Sequence, residues 1–330
     1  MKFYIKKVIK KLLYTDFVIS LFINSAAFII NIYNEAGRHN FPRATNKLKK
    51  SGLSKVFNYL TKEYFDDRLI DTNLPESKNK NCLIFLLHGI DLIPVFENSL
   101  ISLKKNNILI DKVAYCEVGN ENSFMNVCKK YNVKLIALNF SVILPNNNSA
   151  RIGTKLFNSI TKNKWSIILK TFSLGYDNVI YADVDIVFFR NFIPYINKVS
   201  KIYKCGIQRE SVPTYPANCC TGFMYFNKSA KKLLKKLFLI NKKHLFQSHD
   251  QDMFNYIYLN SKKISKEFFI FPDSLFQCGL LYKTHLNIKF TGMAEDLKPY
   301  LFHANFIIGI KKKIKMLKFL SLWFVNKKNK

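Results

Sequence analysis

The chain has 330 residues, is 48% hydrophobic and 15% aromatic, and carries a formal net charge of +30 from 52 Lys+Arg against 22 Asp+Glu. That apolar content suffices for a large packed core and excludes a disordered chain. The positive charge attracts polyanions, but a compositional bias that also enriches Asn, Ile, Phe and Tyr supplies much of it. No helix-turn-helix, zinc-finger or RNA-recognition pattern accompanies it, so nucleic acid is not expected as a partner. The Cys residues fall at 82, 116, 128, 205, 219, 220 and 278, with no Cys-x-x-Cys pair. This indicates neither a zinc site nor a disulfide framework, and reads as buried reduced thiols.

Residues 1–13 hold Lys2, Lys6, Lys7, Lys10 and Lys11, and an apolar stretch from Phe17 to Tyr33 follows. That order suits a signal anchor, but the stretch holds Ser20, Asn24, Ser25 and Asn31 and is shorter than the ~20 apolar residues of a spanning helix. An amphipathic or packed N-terminal helix is expected. Residues 34–80, punctuated by Gly37, Pro42, Gly52 and Pro75, complete a lead-in without identifiable chemistry. One α/β domain is expected over residues 81–312, and a basic tail over 313–330.

Cys82–His88 reads as the first buried strand, Pro94–Asn106 as a helix, Leu109–Glu117 as a strand, Asn122–Tyr131 as a helix and Val133–Leu138 as a third strand. Strand–helix alternation implies a parallel sheet covered by helices, with ligands at the carboxyl ends of the strands. Ile152–Leu174 predicts one long helix, stopped by Gly175. Lys204–Gln208 reads as a strand, Cys219–Asn227 as a turn at Gly222 followed by a strand, and Ala230–Leu239 as a basic amphipathic helix. A capped helix over Ser248–Leu259 and short strands at Phe268–Phe271 and Leu301–Asn305 complete the pattern.

The informative stretch is Asn178–Phe189, NVIYADVDIVFF, in which Asp183 and Asp185 stand between two apolar runs. Carboxylates in such surroundings need a cationic partner. On an extended segment, residues two apart point the same way, so both can converge on one cation. Oxygen donors of this kind suit Mn²⁺ or Mg²⁺.

KWSIILKTFSLGYDNVIYADVDIVFFRN (164–191) resembles the stretch around the Asp-x-Asp motif of the nucleotide-diphospho-sugar transferases, glycosyltransferase family 77, which are related to family 8. TGFMYF (221–226), DQDMFN (250–255), FPDSLFQCG (271–279) and HANFIIG (303–309) follow in that family's order. The resemblance implies a GT-A fold, a Rossmann-like mixed sheet flanked by helices. It also implies retaining transfer of a sugar from a nucleotide-sugar, typically UDP-linked, to a glycan, lipid or protein acceptor. It casts Asp183, Asp185 and His303 as metal ligands, and Lys164, Asp183, Gly309 and Lys311 as donor contacts. Which of Lys311–Lys313 meets phosphate is open. Asp250 and Gln251 would face the transferred sugar, with helix N-cap as a further role for Asp250. Cys220 stands where the family often has Asn.

The tail, 311–330, interleaves eight lysines with Leu317, Phe319, Leu320, Leu322, Trp323, Phe324 and Val325. It reads as a segment for an anionic membrane surface or as a terminal helix packed on the domain. The compartment stays open between cytoplasmic, peripheral at a membrane, and Golgi-anchored. A nucleotidyltransferase or other Asp-x-Asp phosphoryl enzyme is the enzymatic alternative, and an inactive membrane-binding protein the non-enzymatic one.

Overall fold

The computed structural model describes residues 80–139, 154–210, 218–243, 249–279, 299–305 and 307–325. The N-terminal lead-in, with its apolar stretch at 17–33, lies outside the described residues. Among those described, no helix is long and apolar enough to cross a membrane.

Strands β1 (Asn81–Leu87), β2 (Asp111–Glu117), β3 (Lys134–Leu138), β4 (Asn178–Ala182), β6 (Cys205–Arg209), β7 (Cys219–Asn227) and β8 (Phe268–Phe271) form a seven-stranded sheet in the order β3-β2-β1-β4-β7-β6-β8. Neighbouring strands are parallel except that β7 runs antiparallel to β4 and β6. The sheet is thus mixed, as the family resemblance implies. Strands β5 (Ile186–Phe188), β9 (Phe276–Cys278) and β10 (Leu301–His303) form a second sheet in the order β5-β10-β9.

The central strands read as continuous apolar runs because both faces are covered. Along β1, Leu83, Phe85 and Leu87 enter one core, while Cys82, Ile84 and Leu86 enter the other. Helices α1 (Ile93–Lys105), α2 (Glu121–Lys130) and α5 (Ile193–Ile202) cover the first face. Helices α3 (Lys155–Thr161), α4 (Asn163–Ser173), α6 (Lys231–Lys243), α7 (Asp250–Asn260) and α8 (Lys262–Ser265) belong to the second. All seven cysteines are buried free thiols, as their spacing predicts.

The helix predicted over 152–174 is two helices in its described part, broken at Lys162. Thr161 Oγ1 and Asn163 Nδ2 donate to the Asn158 and Ser159 carbonyls, and such side chains compete with the helical ladder. Gly175 closes α4 at φ +91°, the left-handed conformation that glycine adopts freely. No turn occurs at Gly222, which lies within β7. Strand β9 was not predicted.

Helix α9 (Ile310–Phe319) crosses the boundary expected after residue 312. Its Leu317, with Leu320, Leu322 and Trp323 beyond it, is buried against Val95 of α1, Val187 of β5 and Phe302 of β10. Asn98 of α1 clamps this segment by donating to the Leu322 carbonyl (3.0 Å) and accepting from the Phe324 N–H (2.6 Å). Of the two readings of the tail, the structure shows the terminal helix packed on the domain. Most of the apolar residues a membrane-surface segment would insert are packed inside, leaving Lys311, Lys312, Lys315, Lys318 and Phe319 outward.

One aromatic contact ties two helices together. Trp165 of α4 stacks on Phe254 of α7 (centroids 5.9 Å, 18° between planes) and meets Phe226 of β7 edge-on at 6.3 Å. Phe254→Ala is expected to cost about 3–5 kcal/mol by chemical denaturation, as for other buried aromatic truncations, and to lower Tm.

Candidate functional site

Asp183-Val184-Asp185 forms the turn that hands the chain from β4 in the large sheet to β5 in the small one. The motif is not the extended segment expected, yet its carboxylates still converge, because both ends of the turn are held. The Asp183 N–H donates to the Gly222 carbonyl (2.7 Å), continuing the β4–β7 ladder. The Ala304 N–H donates to the Asp185 carbonyl (3.0 Å), opening the β5–β10 ladder. Helix α1 pins β5 itself: Ser102 Oγ accepts from the Phe188 N–H, and Asn106 Nδ2 donates to the Phe188 carbonyl, both at 2.9 Å.

Strand β10 delivers His303 to this turn. Its Nε2 stands 3.2 Å from Asp185 Oδ1 and 3.6 Å from Asp183 Oδ2. The three candidate ligand atoms lie within 4.8 Å of one another. Two carboxylate oxygens and an imidazole nitrogen fit a hard-to-borderline divalent cation such as Mn²⁺. Gly222 makes the approach possible. A Cβ there would overlap the His303 ring and come within 2.8 Å of Asp183 Oδ2.

Two lysines neutralise the carboxylates in the structure. Lys164, buried at the start of α4, places Nζ 3.3 Å from Asp183 Oδ1 and 3.2 Å from Asp250 Oδ2, and sits over the Tyr181 ring. Burial opposes its charge, but the Asp183 and Asp250 carboxylates outweigh that and hold its pKa above the ordinary amine value. Burial likewise works against an ionised Asp250, and Lys164 overcomes it, keeping that carboxyl below its usual range. Lys313 of α9 pairs with Asp185 Oδ2. Burial would raise the Asp185 pKa, yet Lys313 and His303 hold it well below the ordinary value. The Tyr181 hydroxyl donates to Asp183 Oδ1 at 2.6 Å. Its own pKa is driven well up, first by burial and then by Asp183.

Helix α7 brings Asp250 and Gln251. Asn255 docks it on β7 by accepting from the Cys219 N–H (2.8 Å) and donating to the Cys219 carbonyl (2.9 Å). His249, not Asp250, is the N-cap; Asp250 is the first helical residue, buried on Lys164. Gln251 accepts from the Thr221 N–H (3.3 Å) and donates to Glu210.

The structure thus brings together Lys164, Asp183, Asp185, Asp250 and His303. Lys164 contacts carboxylates and the Thr221 carbonyl (3.5 Å), not an open surface. Lys311 is exposed, and the lysine of that run that reaches the cluster is Lys313. Gly309 caps α9 at φ +98° with open space where a side chain would stand. Sequence reasoning left Lys313 open within its run and missed Glu210 and Gln208. Gln208 Oε1 lies 3.0 Å from His303 Nδ1, and no motif marks it.

This is a mixed α/β domain with a candidate cation site at the carboxyl end of a central strand. The chain belongs to the nucleotide-diphospho-sugar transferase family, whose sequence model matches residues 124–317. It is similar to two Arabidopsis thaliana UDP-D-xylose:L-fucose alpha-1,3-D-xylosyltransferases. One, MGP4, is 26% identical over 203 residues (56% of this chain, 54% of that protein). The other, xylosyltransferase 3, is 27% identical over 201 residues (53% and 50%). The chain spans about half the length of these relatives. Among solved structures, it resembles mouse xyloside xylosyltransferase 1 in its apo form with TM-score 0.46 and 13% identity, covering 69% of this chain and 98% of that one. It also resembles the galactosyltransferase LgtC with TM-score 0.45 and 12% identity, covering 68% and 87%.

Two expectations follow. Lys164→Met takes the ammonium partner from buried Asp250 and is expected to cost about 3–5 kcal/mol at pH 7. The wild-type Asp250 pKa is depressed, so its contribution is present above the unfolded value of ~3.9 and lost as pH falls through the folded one. In the variant, burial raises that pKa instead, so the stability deficit shrinks on acidification, as denaturant melts from pH 7 to 3 would show. Gly222→Ala forces His303 and Asp183 apart and is expected to cost about 1–3 kcal/mol, read as a lowered denaturation midpoint.

Proposed function

We propose that this protein is a divalent-metal-dependent glycosyltransferase that moves a sugar from a nucleotide-sugar, with retention of configuration, to a glycan, lipid or protein acceptor. The supporting observation is the convergence of Asp183, Asp185 and His303 in a member of a nucleotide-diphospho-sugar transferase family. The names of the Arabidopsis thaliana relatives make UDP-xylose the first donor to try. Family membership also favours sugar transfer over nucleotidyl transfer.

Asp183, Asp185 and His303 would hold Mn²⁺ or Mg²⁺. Such a cation supplies Lewis-acid stabilisation of the diphosphate leaving group. Lys313 is the cation nearest that position, and it replaces Lys311 as our candidate diphosphate contact. The backbone N–H groups of the first turn of α9, opened by Gly309, offer an anion site of the kind helix N-termini provide. Lys164 acts from beneath the site, holding Asp250 ionised and pairing with Asp183. Asp250 and Gln251 stand on the β7 side, where the sugar would lie. Gln251 is fixed between Thr221 and Glu210. We assign the catalytic domain to residues 81–312 and add the packed segment through residue 325, since its apolar side completes the core beside β5 and β10.

The test is nucleotide release from a panel of nucleotide-sugars, without acceptor, with and without Mn²⁺. We expect slow, Mn²⁺-dependent release of UDP from UDP-xylose, and its loss with chelator. Asp185→Ala is expected to lower the rate by about 100-fold or more, in keeping with the several kcal/mol a bound cation contributes. Release that is indifferent to Mn²⁺, or an Asp185→Ala variant as active as wild type, would overturn the assignment.

A further inference from the structure

Gln208 lies on β6, where the β6–β7 register shifts between Ile207 and Gln208, and irregularities of this kind re-aim side chains. The residue is fully buried, and its amide spans three strands. Nε2 donates to the Phe276 carbonyl (3.1 Å) and the Gln277 carbonyl (3.0 Å) of β9. Oε1 faces His303 Nδ1 on β10, 3.0 Å away. Strands β9 and β10 are paired in parallel, with Gln277 opposite Phe302 and Cys278 opposite His303.

This arrangement leaves little freedom. A carbonyl oxygen only accepts, so the group facing Phe276 and Gln277 must be the amide NH₂. The amide oxygen is then the atom on His303 Nδ1, and an oxygen without a proton requires a donor there. Nδ1 therefore carries a proton committed to Gln208. Nε2 faces the acceptor oxygens of Asp185 and Asp183, so it is the nitrogen left to give its lone pair to a cation that takes the place of a proton between them. One neighbour competes. Cys220 Sγ lies 3.6 Å from Nδ1, and a thiol proton donated there would give the opposite tautomer, closing Nε2 to metal. The nearer, stronger acceptor is Gln208.

We propose that Gln208 is the positioning residue of the candidate metal site: it sets the tautomer and ring orientation of His303, and so presents Nε2 as the nitrogen donor for a borderline divalent cation. This rests on the metal reading of Asp183, Asp185 and His303. Partners behind a ligating histidine typically matter by about 10–100-fold in metal affinity.

The experiment uses the full chain and two probes, Mn²⁺ alone and Mn²⁺ with UDP. Free Mn²⁺ is followed by its EPR signal in wild type, Gln208→Met and His303→Ala. Gln208→Met is expected to weaken Mn²⁺ binding about 10–100-fold. It should raise the Mn²⁺ needed for half-maximal donor hydrolysis by a similar factor, while kcat at saturating Mn²⁺ stays within about twofold. A residue that only supported the fold would lower kcat as well. Unchanged affinity in Gln208→Met, with affinity lost in His303→Ala, overturns the role of Gln208 and leaves the metal site standing. No Mn²⁺ binding by wild type overturns both. Nitrogen-15 NMR of histidine-labelled wild type needs no variant. A protonated Nδ1 on His303 supports the proposal, and an unprotonated one sinks it.

Discussion

The site depends on compensating buried charge. Asp183, Asp185 and Asp250 crowd the carboxyl end of the central sheet, and Asp185 and Asp250, which are buried, are penalised by low-dielectric surroundings unless a cation lies close. Lys164 bridges Asp183 and Asp250 from below, and Lys313 reaches Asp185 from α9. His303 joins them as the only imidazole within 4 Å of both motif carboxylates among the described residues. Remove either lysine and the remaining carboxylates repel one another. Much of the surrounding architecture serves to bring these charges together from distant parts of the chain.

The apolar packing accounts for how they are kept there. Lys164 and Asp250 each lie beside a helix start, and Trp165 stacking on Phe254 locks those helices together just below the ion pair. On the other side, Leu317, Leu320 and Trp323 seat α9 against β5 and β10, which sets the reach of Lys313. The two sheets meet at the Asp-Val-Asp turn and along β6 and β8, where Gln208 donates to β9 and Phe271 stacks on Phe276. A turn at that junction faces both β7 and β10, whereas an extended strand would have faced one sheet alone. Gly222 leaves room for the resulting contact.

Much of the fold was legible because burial on both faces leaves long apolar runs, as at Cys82–Leu87 and Cys219–Asn227. The ordered motifs around Asp183, Gly222, Asp250 and Gly309 identify the family from sequence, and the family match bears that out. Errors fell where side chains compete with backbone. Thr161 and Asn163 divide a helix that hydrophobic spacing alone would continue. Gly222 resembled a turn because glycine usually marks one, yet here it clears space inside a strand. Three-residue β9 is too short for periodicity to detect.

What the sequence determined by itself is the order of strands and helices, the carboxylate motif, and the family, because local spacing records which residues are buried. The resemblance also put His303 with the motif carboxylates. What only the tertiary structure decided is which further groups meet them: Lys313 rather than Lys311 on Asp185, Lys164 beneath two acids, and Gln208 behind His303 across 95 residues of chain. Those partnerships depend on strand register and helix docking. A single charged or amide side chain leaves no periodic trace of a partner that reaches it through space, and only the packed core, by fixing distance and direction, selects one lysine from a run of three.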